Sequence, residues 1–165
     1  MPLHVEVDEC PDSELTVVFV HGYALNLDCW HFQRAAYRGL VRSVYYPGLP
    51  SHPQAAVAQR VLRAGGGMLA FDLGQRDPAA TFLDALTIPP RTASLGSVRT
   101  MTVHPPSSTH RQLDEEGLRQ AGISAGLVRV SVGLEDAEDL AADFERGLAA
   151  AISVVESTVR ASATA

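Results

Sequence analysis

The stretch from Leu127 to Ala151 constrains this chain more than any other. In Leu127–Val132, Val128, Val130 and Val132 fall on one face of an extended segment, and Leu127, Arg129 and Ser131 fall on the other. Directly after it, Asp136–Ala151 carries Leu140, Phe144 and Leu148 at helical spacing, continued by Ile152. A strand with one apolar face feeding an amphipathic helix buries both by packing them together. Glu135, Asp136, Glu138 and Asp139 load the helix start with negative charge, which suits the positive end of the helix dipole.

The same alternation runs back to Val41. Val41–Tyr46 reads as a strand. Pro47-Gly48-Leu49-Pro50-Ser51-His52-Pro53 is a rigid loop, and Pro53 suits the first helical position. Gln54–Arg63 is helical by pattern, with Val57, Val61 and Leu62 on one side. Gly65-Gly66-Gly67 leads into a strand, Met68–Leu73, in which Leu69, Phe71 and Leu73 share a face. Pro78–Leu86 reads as a helix stopped by Pro89-Pro90. Val98–Val103 reads as a strand, and Leu113–Gln120 as a short helix ending at Gly122. Every helix in this order is able to cover one sheet face. The expected fold class is therefore α/β: an α+β two-layer sandwich, a mixed or antiparallel sheet with helices on one face and the other face open. The expected organisation is residues 1–40 as one segment, 41–152 as a domain, and 153–165 as a frayed tail.

The N-terminal segment has its own pattern. Leu3–Val7 alternates like a strand, Pro11-Asp12-Ser13 marks a turn, and Thr16–Val20 suits a buried strand. His21-Gly22 ends it, and Asp28 is placed to cap a helix from Trp30 to about Tyr37.

Composition narrows the function classes. The hydrophobic share is 46% and the charged share 19%, as in globular proteins. The apolar run Leu15–Val20 is too short to span a membrane, and the start of the chain lacks a signal-peptide pattern, so a cytoplasmic location is expected. A net charge of −6 argues against a nucleic-acid surface. Cys10 and Cys29 lack metal-site spacing. All positive side-chain charge is arginine; the sequence contains no lysine. Without a lysine amine, the chain cannot form a side-chain Schiff base with a carbonyl compound.

Arg129 is the leading candidate for chemistry. Opposite three valines, its guanidinium projects from the uncovered sheet face, suited to a bidentate grip on a carboxylate, or simply to solvent. Ser94-Leu95-Gly96-Ser97 follows a proline-rich break and reads as an exposed loop, there either to hold a ligand or to turn the chain. His104 and His110 flank a loop without a third metal ligand, so structural hydrogen bonds are expected of them. Gly65-Gly66-Gly67 precedes a strand and opens no helix, so it is no phosphate loop. His21-Gly22 has the form of an oxyanion loop, but no GxSxG elbow occurs in the sequence.

Two resemblances rest on these motifs. LHVEVDE…LTVVFVHGYALNLDCWHFQRAAYRG resembles the opening of an α/β-hydrolase. From about Val41, the stretches VYYPGLPSHPQ, GGMLAFDL, FLDAL, SLGSVRTM, HPPSSTH and AGISAGLVRVSVGLEDAEDLAADFERGL are similar to the C-terminal domain of the cystathionine γ-synthase/γ-lyase family, the Cys/Met-metabolism or trans-sulfuration enzymes of pyridoxal-phosphate (PLP) fold-type I, which hold PLP as an internal aldimine on a lysine. That resemblance implies PLP chemistry: elimination or γ-replacement on substrates of the cystathionine, O-acylhomoserine or methionine type. It implies that Arg129 binds the substrate α-carboxylate, that Ser94 and Leu95 approach the amino-acid substrate and the PLP lysine, and that Thr109 lies near the same pocket. The chain reads SLGS where many members read SLGG, and PPSST where many read PAxMT. The PLP lysine of the family lies in a large upstream domain that these 165 residues do not contain. The expectation is a truncated or fused member that neither binds PLP nor turns over alone. The alternatives are a hydrolase remnant centred on His21 and Gly22, and a non-catalytic interaction module that associates, as a homo-oligomer or with another chain, through the exposed sheet face. No nucleic-acid or membrane partner is expected.

Overall fold

In the computed structural model, residues 41–50, 52–94 and 96–163 are described. Along the chain lie β1 (Ser43–Tyr45), α1 (Ala55–Val61), β2 (Met68–Asp72), α2 (Arg76–Ala85), β3 (Met101–Val103), a 3-10 turn (Pro105–Ser107), α3 (Glu115–Gln120), β4 (Leu127–Ser131) and α4 (Ala137–Ala163). The strands form one sheet in the order β1-β2-β4-β3, and every neighbouring pair is antiparallel. Beyond β3, Arg91 bridges Thr102 in parallel, and the Thr92 N–H donates to the Thr102 carbonyl.

The valine face is the core face. Val128 and Val130 are fully buried, together with Phe71, Leu73, Phe82, Leu148 and Ala151. Helices α2 and α4 cover them. Phe82 of α2 meets Phe71 and Phe144 edge-to-face, with centroids 5.3 and 5.7 Å away, the geometry that ring quadrupoles favour. Gly147 lets α4 approach: a Cβ there would stand 2.7 Å from the Phe82 ring.

Local chemistry explains the element ends. Asp114 caps α3 by accepting the Gly117 N–H. The helix closes in a Schellman turn, with Ile123 N–H to Leu118 O, Gly122 N–H to Arg119 O, and Gly122 at φ 69°. Asp136 caps α4 through the Glu138 and Asp139 N–H groups.

Several expectations change. Among the described residues, only α2 and α4 roof the sheet. Helices α1 and α3 bury no residue, being seven and six residues long, and Val57, Val61 and Leu62 stand exposed. Pro53 is not the first residue of α1, because a turn through His52 delays the helix to Ala55. The strand expected over Val98–Val103 shortens to Met101–Val103, because the Thr100 N–H is captured by the Glu135 side chain. Helix α4 runs on to Ala163, through the stretch expected to fray, with Ile152 and Val155 packed against the core. The face opposite the valines is not uniformly bare: Met101, Val103 and Ser131 are buried on it.

Candidate functional site

Antiparallel pairing puts Arg129 on the sheet face away from Phe71, Val128 and Val130. Its cross-strand neighbours are Ala70 on β2 and Val103 on β3, and directly paired residues share a face. Two features of its guanidinium matter. Nη2 donates to the Ser94 carbonyl at 3.5 Å, a long bond. Nε is buried and has no hydrogen-bond partner among the described residues. A buried, charged donor left unpaired is costly, and a carboxylate accepting from Nε and Nη2 side by side removes that cost. The chemistry of this donor set fits a carboxylate ligand.

Ser94 reaches Arg129 because its segment is pinned at both ends. Upstream, Arg91 bridges Thr102, its Nε donates to the Leu83 carbonyl at 3.2 Å, and its Nη2 pairs with Asp84. Downstream, Glu135 accepts both the Thr100 N–H (2.6 Å) and the Thr100 hydroxyl (2.7 Å), and that hydroxyl accepts the Gly133 N–H at 2.8 Å. Burial alone raises the Glu135 pKa, but the Thr100 bonds and the nearby Arg99 outweigh it and hold the carboxyl below its ordinary value. The loop carrying Ser94 is thus tied to β3 on one side and to the β4–α4 connection on the other.

The other expected site residues stand differently. Ser94 meets Arg129 through its main-chain carbonyl rather than its hydroxyl. The Thr109 hydroxyl bonds to the adjacent His110 Nδ1 at 2.9 Å and not to Arg129 or Ser94. Leu95, His21 and Gly22 lie outside the described residues, as do Cys10 and Cys29.

His104 has the structural bonds expected of it. Its Nε2 lies 2.8 Å from the Ala125 carbonyl, which only accepts, so Nε2 carries the proton and Nδ1 accepts from the Ser107 hydroxyl, also at 2.8 Å. Burial lowers its pKa, the Ala125 bond raises it and the Arg76 charge lowers it, with a net depression. Among the described residues, no group of three His, Cys, Asp or Glu side chains is placed to hold a metal, and no helix is long and apolar enough to cross a membrane.

PLP does not fit these residues as a covalently held cofactor. Its attachment needs a lysine amine, and none of the 165 residues is lysine.

The periodicity of the sequence did not reveal the anchors of this region. Glu135 reads from sequence as helix-dipole charge, yet it bonds backward to Thr100. Asp143 reads as one more polar helix position, yet it is buried against the α2–β3 connection. Glu135 sits in an acidic cluster and Asp143 between Ala142 and Phe144, and neither setting carries a mark of a long-range partner.

Comparison with known proteins gives a consistent result. Residues 33–149 match the family of Cys/Met metabolism PLP-dependent enzymes. The chain is 46% identical over 111 residues to an O-succinylhomoserine sulfhydrylase of Pseudomonas aeruginosa, covering 67% of this chain and 28% of that protein. It is likewise 46% identical over 111 residues to an L-methionine gamma-lyase of Pseudomonas deceptionensis, with the same coverage. A cystathionine gamma synthase of Xanthomonas oryzae pv. oryzae, solved in complex with aminoacrylate and cysteine, superposes with a TM-score of 0.66 at 37% identity, covering 76% of this chain and 33% of that one. The chain thus spans under a third of the length of the curated relatives it matches.

Proposed function

The chain belongs to the Cys/Met metabolism PLP-dependent enzyme family, and we propose that its residues form the carboxylate-binding wall of an amino-acid site whose cofactor lysine comes from residues outside this sequence. Arg129 is the clamp: its unpartnered Nε and its loosely engaged Nη2 take the two oxygens of a substrate α-carboxylate. Ser94 lies beside that carboxylate, with Leu95 next to it in the chain, and Thr109 belongs to the rim of the same pocket. The substrates are amino acids of the cystathionine, O-acylhomoserine or methionine type, in keeping with the names of the relatives. PLP, when bound to the complete site, supplies the electron sink for elimination or γ-replacement. The contribution of these residues is to bind and orient the substrate.

The unpaired Nε of Arg129 is the observation that carries this reading. A chimera tests it, with residues 41–152 replacing the matching part of the Pseudomonas aeruginosa relative. The chimera is expected to turn over substrate. Its Arg129→Ala form should show kcat/KM about a hundredfold lower, the worth of a charge-assisted bidentate bond. Unchanged kinetics for that variant would sink the proposal. The 165-residue chain alone, mixed with PLP and gel-filtered, is expected to retain no cofactor absorbance.

Two further roles belong to this proposal. Exposed Tyr45, Val57, Val61 and Leu62 favour association, as a homo-oligomer or with a larger chain, and a monomer by light scattering across concentration counts against it. For the hydrolase-like His21-Gly22 loop we expect no acyl transfer, since no nucleophile elbow follows; labelling of the chain by a serine-directed probe would reverse that.

A further inference from the structure

A second concave site borders β3, with Val103, the cross-strand neighbour of Arg129, in its wall. It is a cleft of about 450 Å³ whose walls include Arg76, Arg91, Thr92, Ser107, Ser108 and Leu83; neither Arg129 nor Ser94 lines it. Among the described residues no Asp or Glu lines it either, although the chain as a whole is acidic. We propose that this cleft binds a small hydroxylated phosphate monoester.

The polar groups divide into donors and acceptors. Arg76 opens α2, and its guanidinium makes no hydrogen bond or ion pair within the described structure. The Gln75 side chain does not cap this helix, so the first N–H groups of α2 are left without a side-chain acceptor. Arg91 is held from behind by the Leu83 carbonyl through Nε and by Asp84 through Nη2, which leaves Nη1 for a ligand. The Thr92 hydroxyl is likewise without a partner among the described residues. Two arginines and a threonine line the cleft as donors, a set that exceeds what the two oxygens of a carboxylate absorb and suits the three free oxygens of a phosphate ester.

The opposite wall offers acceptors. His104 is protonated on Nε2, so the Ser107 hydroxyl gives its proton to Nδ1. The Ser108 hydroxyl gives its own to the His104 carbonyl at 2.5 Å. Both serines are exposed, and with their protons given to His104 their oxygens keep lone pairs to accept from hydroxyl groups on a ligand body. The volume exceeds that of bare phosphate and falls in the range of small-molecule sites. Leu83 supplies an apolar floor for the carbon skeleton.

The test uses the full chain in backbone-amide NMR, titrated with inorganic phosphate and separately with glycerol phosphate, against chloride at matched ionic strength. Saturable shifts confined to residues around Arg76, Thr92 and Ser107 are expected with both phosphates and absent with chloride. Arg76→Gln should weaken both by about tenfold, the loss of one charge-assisted bond. Arg76 makes no bond that holds the fold, and a dispersed spectrum of the variant confirms that it is folded. Shifts that fail to saturate, or that survive Arg76→Gln unchanged, overturn the site. Binding of phosphate with exclusion of glycerol phosphate overturns the ester assignment.

Discussion

The Asp143 carboxylate on α4 accepts the Thr87 hydroxyl at 2.8 Å and, through its two oxygens, the Thr87 N–H at 3.1 and 3.0 Å and the Ile88 N–H at 3.0 Å, fifty-odd residues away in sequence. Arg146, one turn along the helix, pairs with the same carboxylate and also reaches the Thr87 hydroxyl. The carboxylate is 99% buried, so its charge depends on these donors. They fasten the exit of α2 to the helix that roofs the sheet. Asp143→Ala strands two main-chain N–H groups and should cost about 3 kcal/mol of stability in urea unfolding. A loss too small to shift the urea midpoint would show that water replaces the carboxylate.

The same group makes the fold acid-sensitive. Burial alone raises the Asp143 pKa, yet its bonds to Ile88 and Thr87 and the Arg146 charge bring it below the ordinary value of 3.8. A carboxyl depressed in the folded state contributes stability that is fully present above the unfolded pKa and is lost as pH falls through the folded one. Unfolding free energy should therefore fall below about pH 4, and more shallowly in Asp143→Asn. Equal slopes for the two proteins would remove Asp143 from the account.

His104 adds a second pH window, at higher pH. Its folded pKa is depressed, so the neutral ring favours the folded state, and the unfolded chain takes up a proton first. Stability from this residue is present above the unfolded value near 6.5 and declines as pH drops from there toward the folded value. His104→Gln should flatten the stability profile between about pH 7 and 5. A ring that titrates by NMR at or above the unfolded value contradicts this.

Thr100→Val tests the loop anchor. The replacement keeps the shape but leaves the Gly133 N–H and one Glu135 oxygen without their partner, a loss of about 1–3 kcal/mol. Hydrogen exchange should quicken at Gly133 and in the loop around Ser94. Exchange that speeds uniformly across the sheet would instead mean that the variant unfolds globally.

Gly147→Ala opposes two effects. In an exposed helix the change stabilises by about 1 kcal/mol. Here the new Cβ meets the Phe82 ring at 2.7 Å, and Phe82 is fixed between two other rings. A net destabilisation of about 1–3 kcal/mol is expected. A rise in melting temperature would mean that α2 and α4 separate at little cost.

The sequence by itself determined the alternation of strands and helices, the valine face of β4, the apolar stripe of α4 and the placement of Arg129 opposite the core, because each is a local period read directly from residue spacing. It also determined that no lysine is present. Only the tertiary structure decided that all the paired strands are antiparallel, that two of the four described helices cover the sheet, and that α4 persists to Ala163. It likewise decided that Ser94 offers Arg129 a carbonyl, that Glu135 binds Thr100, and that Arg76 and Arg91 share a cleft. These are contacts between residues far apart in the chain. A side chain's long-range partner leaves no period in the sequence, since it depends on where the packed core carries each element.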